Sequence, residues 1–161
     1  MIDRKTPAPD IVCVRPAVPD DMVGITELQA ASFADRWSLE SVQQLAGLSG
    51  AIVLVAERPA SPAMLGYLIG QVVTDEAEVH SIAVAEAFRR RGIGRRLLLA
   101  FEGLATGLGA VSAVLEVAAD DAPAKQLYES IGYQVVARRP DYYRIGRAEP
   151  VDAEVRRRRI G

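Results

Sequence analysis

The chain has very few of the side chains that build disulfides, metal clusters and histidine-dependent catalytic triads. Its 161 residues include one cysteine, Cys13, and one histidine, His80. A single cysteine excludes an internal disulfide and a cysteine zinc cluster, and a single histidine excludes a site with several histidine ligands. A serine hydrolase would depend wholly on His80. We therefore expect no metal site, and we expect Cys13 to pack in the core.

Long apolar runs are also missing. No stretch approaches the roughly 20 apolar residues that cross a bilayer, and no apolar segment of a secretory signal follows the charged N-terminus. The composition is 50% hydrophobic and 25% charged, which suits one globular domain. We expect a cytoplasmic protein without a membrane partner. Its expected parts are a loose tail at 1–10, one domain at 11–156 and a basic tail at 157–161.

Charge is unevenly distributed, although the net charge is only −2. Residues 1–80 hold 5 basic and 11 acidic residues, whereas residues 81–161 hold 14 and 10. Arginines are concentrated at 89–96 and at 156–159. A basic second half favours an anionic ligand, but the overall acidity argues against a general nucleic-acid binder. The run at 156–159 is typical of a solvated tail or an edge strand.

Hydrophobic periodicity and turn residues predict elements in the order β-α-α-β-β-β-α-β-α-β-β. Strands are expected at residues 11–15, 51–56, 64–74, 79–84, 111–117, 133–137 and 151–155. Helices are expected at residues 20–33, 39–48, 92–108 and 122–130. This alternation predicts an α/β domain in which helices flank a mixed sheet.

The most informative motif begins at the strand Ile82-Ala83-Val84. A short loop follows, and then Arg89-Arg90-Arg91-Gly92-Ile93-Gly94-Arg95 opens an amphipathic helix. Glycines allow a ligand to approach the backbone closely, the free N–H groups of a helix start favour phosphate, and arginines add bidentate donors. The motif is neither a Walker loop nor a complete G-x-G-x-x-G. The alternative is a solvated arginine face on an ordinary helix.

This arrangement resembles the acyl-CoA-binding motif of the GNAT superfamily of N-acetyltransferases. Further similar stretches follow in the same order, at residues 71–84, 115–117, 127–133 and 138–143, so the resemblance covers about residues 11–156. It implies the GNAT fold, with a mixed, mostly antiparallel central sheet flanked by helices. Trp37-Ser38, Gln71-Val72-Val73 and Tyr142-Tyr143 are similar to the bacterial members that acetylate the N-terminal alanine of a ribosomal protein.

The resemblance implies acetyl-CoA as the acetyl donor and no metal. It assigns donor binding to Ile82, Ala83, Val84, Arg89, Arg90, Arg91, Gly92, Ile93, Gly94, Arg95, Asp121 and Tyr128. Two of the surrounding positions depart from the family pattern, because Ala118 and Asp121 stand where the family has arginine and asparagine. These changes affect the contacts of this segment with the donor or the acceptor.

The resemblance also assigns the catalytic and acceptor-binding residues. Glu116 is expected to be the base that takes a proton from the amine, and Tyr128 the acid that protonates the departing thiolate. Trp37, Ser81 and Tyr142 are expected to bind the acceptor, which would be the N-terminus of a ribosomal protein.

Glu116 and Tyr128 also have interpretations that rest on their own surroundings. A carboxylate inside the apolar strand at 113–117 is costly unless it is paired or used. The alternative is a glutamate on an edge strand that faces water. Tyr128 lies within the predicted helix at 122–130, where a tyrosine equally suits half-buried packing.

Three other functions remain open from the sequence. The chain could acetylate a small amine or a lysine with the same fold and donor. It could be an acyl-CoA-binding module without catalysis, in which Glu116 and Tyr128 are incidental. Binding of nucleic acid through the arginines at 89–96 is the third alternative, and it would show a steep salt dependence.

Overall fold

One mixed sheet organises the part of the chain that the computed structural model describes, which is residues 11–161. The expected tail at 1–10 lies outside the described residues. The strands are β1 (Cys13–Pro16), β2 (Ala51–Arg58), β3 (Ser61–Val73), β4 (Glu76–Val84), β5 (Ser112–Ala118), β6 (Gln134–Tyr143) and β7 (Val151–Arg159). The helices are α1 (Met22–Ser32), α2 (Leu39–Ala46), α3 (Ile93–Gly107) and α4 (Ala122–Ile131), with 3-10 turns at Pro19–Asp21 and Glu86–Phe88. The predicted fold class is confirmed.

The strand order is β1-β2-β3-β4-β5-β7-β6, and every neighbouring pair except β4 and β5 is antiparallel. The parallel pair requires a crossover, which α3 supplies by packing across β2, β3 and β4. The sheet therefore consists of an antiparallel half, β1–β4, and a second antiparallel half, β5-β7-β6. The two halves meet at β4 and β5.

Apolar side chains fill both faces of the sheet. On one face, α3 buries Leu97, Leu98 and Phe101 completely against the strands, because these positions recur with helical spacing. On the other face, α1 and α2 bury Ile25 and Val42. Ser38 is the N-cap of α2, as its side chain accepts a hydrogen bond of 3.1 Å from Ser41 N.

The arginine run near the C-terminus differs from the expectation. Residues 157–159 of the expected basic tail belong to β7, which pairs with β5 and β6 on its two sides. Arg156 is only 3% exposed and lies 2.7 Å from Glu154 and 3.1 Å from Glu129. The strand accommodates Arg156 because Glu154 of the same strand and Glu129 of α4 both pair with it.

The other ion pairs of the run involve Arg157 with Glu76, and Arg158 with Glu102 at 3.5 Å. Cys13 also differs from the expectation, since it is exposed on β1 rather than packed in the core. Within residues 11–161, no helix is long and apolar enough to cross a membrane.

Candidate active site

The strands β4 and β5 separate after a short stretch of pairing. Only Glu76, Ala77 and Glu78 of β4 are paired with β5 in the described structure. Beyond them, a bulge interrupts β4, since Val79 pairs with Gly70 and Ser81 with Ile69, which leaves His80 without a partner residue on β3. Bulges bend a strand and end regular pairing. The result is an opening between residues 81–84 and residues 115–118, which we call the β4–β5 opening.

The backbone of β4 points polar groups into this opening. Ala85 N donates to Leu65 O at 2.8 Å, so Ala85 belongs to a hydrogen-bonded pair with β3. In an antiparallel ladder such pairs alternate, so the N–H and C=O groups of Ile82 and Val84 face away from β3. They therefore face the side from which an extended ligand could pair with β4, and the binding of the donor by Ile82 and Val84 stays a prediction. Ala83 is buried against the core between the sheet and α1.

The arginine loop lies at one end of the opening. Arg90 and Gly92 adopt left-handed backbone conformations, with φ values of 63° and 79°. The first intrahelical bond of α3 runs from Arg96 N to Gly92 O, so the N–H groups of the preceding residues have no partner within the helix. Such a turn at a helix start forms a cradle for phosphate oxygens.

Side chains fix this cradle to its surroundings. Arg89 donates from Nε to Val84 O at 3.0 Å, which ties the loop to the end of β4. Arg91 and Arg58 lie over the Phe88 ring, at 5.3 and 4.7 Å from its centroid. Arg90, Arg95 and Gly92 are exposed, and Ile93 is buried beneath them. The loop therefore combines a backbone tied to β4 with exposed cationic side chains.

Gly92 provides a test of the cradle. A Cβ at Gly92 would meet no atom within 4 Å, so the space above it is open for a ligand. We expect Gly92→Val to raise the KM for acetyl-CoA by well over tenfold, because the side chain would occupy that space. Gly109→Val is the matched control, since Gly109 also has a positive φ, 94°, and open space around it, but lies beyond the other end of α3. Both variants should lose similar stability. An unchanged KM in folded Gly92→Val protein would contradict the assignment.

Glu116 lies on β5 beside the opening. Its backbone pairs with Val155 of β7, and its side chain is 27% exposed. Arg139 on β6 forms an ion pair with Glu116, with Nε 3.0 Å from Oε1. The carboxylate is thus paired and partly buried, rather than freely solvated. Its location permits contact with a ligand that enters the opening.

Two tyrosines lie near Glu116. Burial, followed by the negative charge of Glu116, raises the pKa of Tyr143 to about 12. Burial also raises the pKa of Tyr128 well above its ordinary value, with smaller contributions from Asp121 and Tyr143. The charge of Glu116 therefore acts on the Tyr143 phenol, and Tyr143 in turn contributes to the raised pKa of Tyr128. Both phenols remain protonated at neutral pH, as an acid requires.

Acidic residues at the start of α4 connect this cluster to the next loop. Asp121 is the N-cap of α4 and accepts a hydrogen bond of 3.2 Å from Ala124 N. Asp120 forms an ion pair of 2.5 Å with Arg147, whose guanidinium lies 5.9 Å from the Tyr143 ring centroid. The carboxylate of Asp121 therefore stabilises the helix, and its contact with the donor stays a prediction.

The segment between α1 and α2 forms one side of the expected acceptor groove. Gln29, buried on α1, donates from Nε2 to Asp35 O at 2.7 Å and accepts from Trp37 N at 2.9 Å. It thereby holds the segment that carries Trp37, which is partly buried. Ser81 is less available, since its hydroxyl lies 2.8 Å from the buried Tyr67 hydroxyl. Contact of either residue with an acceptor stays a prediction.

The segment between β6 and β7 forms the other side. Tyr142 is 48% exposed, and its ring packs edge-to-face on Tyr143 with centroids 5.1 Å apart. A Cβ built at Gly146 would lie 2.6 Å from Ala34 Cβ, so the two segments touch. The groove is thus closed on this side by the contact of Gly146 with Ala34.

Sequence reasoning missed three residues of this arrangement. The charge of Glu116 adds to burial in raising the pKa of Tyr143, and the interrupted pairing between Arg139 and Tyr143 hides this relation from any alternating pattern. Gln29 could have been noticed as an amide on an apolar helix face. The pairing of Arg139 with Glu116 could not be predicted from the sequence, because the two residues lie on different strands.

A separate apolar cleft lies away from these residues. It has a volume of about 770 Å³ and is lined by residues from β2, α2 and the C-terminal half of α3, including Ile52, Gln43 and Leu104. No candidate catalytic or binding residue lines it. Among residues 11–161, no group of three or more His, Cys, Asp or Glu side chains could hold a metal ion.

The sequence of this chain is similar to those of known proteins. A [Ribosomal protein bS18]-alanine N-acetyltransferase of Salmonella typhimurium is 35% identical over 123 residues, which is 76% of this chain and 81% of that protein. The N-alpha-acetyltransferase RimI of Mycobacterium tuberculosis is 44% identical over 90 residues, 53% of this chain and 55% of that protein.

Solved structures agree with these relatives. The ribosomal-protein-S18-alanine N-acetyltransferase of Escherichia coli superimposes with a TM-score of 0.85 at 26% identity, covering 94% of this chain and 95% of that chain. Arabidopsis thaliana NAA60 in complex with acetyl-CoA shares the fold, with a TM-score of 0.83 at 20% identity over 93% of this chain and 99% of that chain. The model of the acetyltransferase (GNAT) family matches residues 22–133. Together with the fold and the relatives, this match shows that the chain is an acetyltransferase of the GNAT family.

Proposed function

We propose that the chain transfers the acetyl group of acetyl-CoA to the N-terminal amine of a protein, and that this protein is a ribosomal protein beginning with alanine. The main support for this proposal is the β4–β5 opening. The arginine loop lies at one end of it, and Glu116 lies beside it, together with the buried phenols of Tyr143 and Tyr128, whose pKa values are raised. Acetyl-CoA supplies the acetyl group as a thioester when it is bound.

The residues present suit such a donor. The open space over Gly92 and the positive φ of Arg90 and Gly92 suit a pyrophosphate. Ile82 and Val84 offer backbone groups to an extended amide chain, although Val84 O already accepts a bond from Arg89. The thioester end of the donor would then lie beside Glu116 and Tyr128.

Glu116 and Tyr128 divide the proton transfers. An N-terminal ammonium has an unperturbed pKa near 8, so most of it is protonated at neutral pH and cannot attack a carbonyl. The Glu116 carboxylate accepts that proton, directly or through a water, and the amine nitrogen becomes the nucleophile. The amine attacks the thioester carbonyl, the C–S bond breaks, and Tyr128 donates its phenolic proton to the sulfur that leaves. The raised pKa of Tyr128 keeps this proton in place until the sulfur carries charge. The second proton that the nitrogen loses as the amide forms restores the phenol.

The two groove segments support a peptide terminus as the acceptor. Trp37 and Tyr142 provide aromatic surface on the two segments, and the contact of Gly146 with Ala34 limits how the groove opens. The names of the Salmonella typhimurium and Escherichia coli relatives support alanine of ribosomal protein bS18 as the acceptor.

Mass spectrometry of ribosomal proteins tests this function. Total ribosomal proteins with free N-termini are incubated with the protein and acetyl-CoA, and Glu116→Gln protein in parallel reports chemical acetylation. We expect a new acetyl group on an N-terminal alanine in the first sample. Acetylation of lysines or of added polyamines instead would support the small-amine alternative. Donor binding without any acetylation would support a non-catalytic module.

The contact between the two groove segments leads to a prediction of its own. Gly146→Ala places a methyl group 2.6 Å from Ala34 Cβ, so we expect the segments to separate and the peptide KM to rise by about fivefold. Gly146 also has a φ of 71°, which strains any L-residue. The double variant Gly146→Ala, Ala34→Gly relieves only the contact. If the peptide KM of the double variant returns to the wild-type value, the contact between the segments causes the effect. If it stays as high as in Gly146→Ala, backbone strain at residue 146 causes the effect.

A further inference from the structure

Arg139 forms an ion pair with Glu116, the carboxylate that the acceptor amine would need as its base. Its Nε lies 3.0 Å from Glu116 Oε1. In backbone pairing, Arg139 is opposite Ala153 and Glu116 is opposite Val155, so the guanidinium reaches across β7 from one neighbouring strand to the other. The guanidinium therefore lies against an oxygen of the carboxylate that an acceptor ammonium would approach.

The arginine is able to leave. Its side chain is 56% exposed, and ion pairs at such exposure contribute little to stability. Its guanidinium carbon also lies 5.4 Å from the centroid of the Tyr142 ring, a favourable contact that does not depend on the carboxylate. The charge of Glu116 also acts on the Tyr143 phenol, where it adds to the effect of burial in raising the pKa of that group.

The neighbouring Arg138 behaves differently. It points to the other face of the sheet, where it lies 3.4 Å from the buried Glu154. Glu154 is also paired with Arg156 and Lys125, so it remains paired without Arg138. The two consecutive arginines therefore carry equal charge, but only one contacts the candidate base.

We propose that Arg139 is a displaceable counter-ion of Glu116, and that the ammonium group of the acceptor takes its place on the carboxylate. The proposal rests on the proposed function. One cation is exchanged for another, so the Glu116 carboxylate has a cationic partner both before and after the acceptor binds. When the ammonium arrives, the guanidinium leaves the carboxylate and keeps its contact with the Tyr142 ring, and the proton then passes from the ammonium to Glu116. Arg139 is thus a positioning residue that competes with the acceptor.

Binding of a peptide measured without turnover tests this exchange. Calorimetry on the protein saturated with CoA gives the Kd of a peptide that begins with alanine, and of the same peptide with an acetylated N-terminus. We expect Arg139→Gln to lower the Kd of the free-amine peptide about fivefold and to leave that of the acetylated peptide unchanged. In the Glu116→Gln background, Arg139→Gln should give no gain. Arg139→Lys keeps the competing charge and should resemble the wild type.

Arg138→Gln is the control for net charge, and it should change neither Kd. An equal gain in Arg138→Gln would assign the effect to the general field and overturn the proposal. An equal change for both peptides, or weaker binding of the free amine, would show that Arg139 shapes the groove, which also overturns it. If the wild type binds neither peptide in the presence of CoA, the proposed function itself fails. Thermal unfolding of each variant confirms that it is folded.

Discussion

Replacing Glu116 by glutamine is expected to lower kcat/KM for a protein N-terminus by about 10²- to 10³-fold at pH 7, within the usual range for a general base. The expected loss shrinks as the pH rises past about 9, because the amine, with an ordinary pKa near 8, then deprotonates in solution. Glutamine keeps the size of the side chain and an oxygen for Arg139, so the loss reports the missing charge.

The measurement is a set of initial rates from pH 6.5 to about 9.5 with saturating acetyl-CoA, a range that brackets the ordinary pKa of the amine. Glu129→Gln is a matched control, because Glu129 also pairs with an arginine, Arg156, at 3.1 Å, but lies outside the β4–β5 opening. Its rates should stay within twofold of the wild type. An equal loss at every pH for Glu116→Gln would mean that Glu116 orients the acceptor and that solvent removes the proton.

Replacing Tyr128 by phenylalanine is expected to lower kcat by about 10²-fold with little change in the KM for acetyl-CoA. The substitution keeps the ring, which packs edge-to-face on Tyr133 with centroids 6.1 Å apart, and removes only the hydroxyl. Burial raises the pKa of Tyr128 well above its ordinary value, so the phenol is protonated throughout the accessible pH range. In the wild type, kcat should therefore not fall through ionisation of Tyr128 at any pH below about 10, the ordinary pKa of tyrosine.

Tyr133→Phe separates proton donation from packing. Tyr133 is equally buried and touches Tyr128, but its hydroxyl donates to Glu102 at 2.7 Å, away from the opening. Its loss should lower the stability by about 1–3 kcal/mol, the cost of leaving a buried acceptor with one partner fewer. Its kcat should hardly change. If Tyr128→Phe also retained a normal kcat, Tyr128 would be a packing residue.

Local patterns were sufficient for the order of elements and for the motif at the start of α3. Apolar positions such as Leu97, Leu98 and Phe101 recur with the helical period, so the sequence alone places them on one buried face. The strand–loop–helix transition around Gly92 depends on neighbouring residues only, and its left-handed backbone agrees with the glycine there.

Features that depend on distant partners could not be predicted. The run at 156–159 resembles a solvated tail until Glu129, Glu76 and Glu102 are known to meet it. Likewise, the positions of Tyr142 and Tyr143 relative to Glu116 depend on an irregularity in the pairing of β6 with β7. Both are consequences of tertiary structure, which overrides the local pattern of charge or alternation.

The short pairing between β4 and β5 couples donor binding to cohesion of the domain. Two antiparallel halves of the sheet meet there through three residues of each strand, Glu76–Glu78 and Ser112–Val114, so few backbone bonds join them directly. A donor bound to Ile82 and Val84 on one side and near Glu116 on the other would add contacts between the two halves. By mass action, part of its binding free energy then appears as resistance to unfolding, which rises with donor concentration. The thermal stability of this enzyme would thereby depend on the supply of its own acetyl donor.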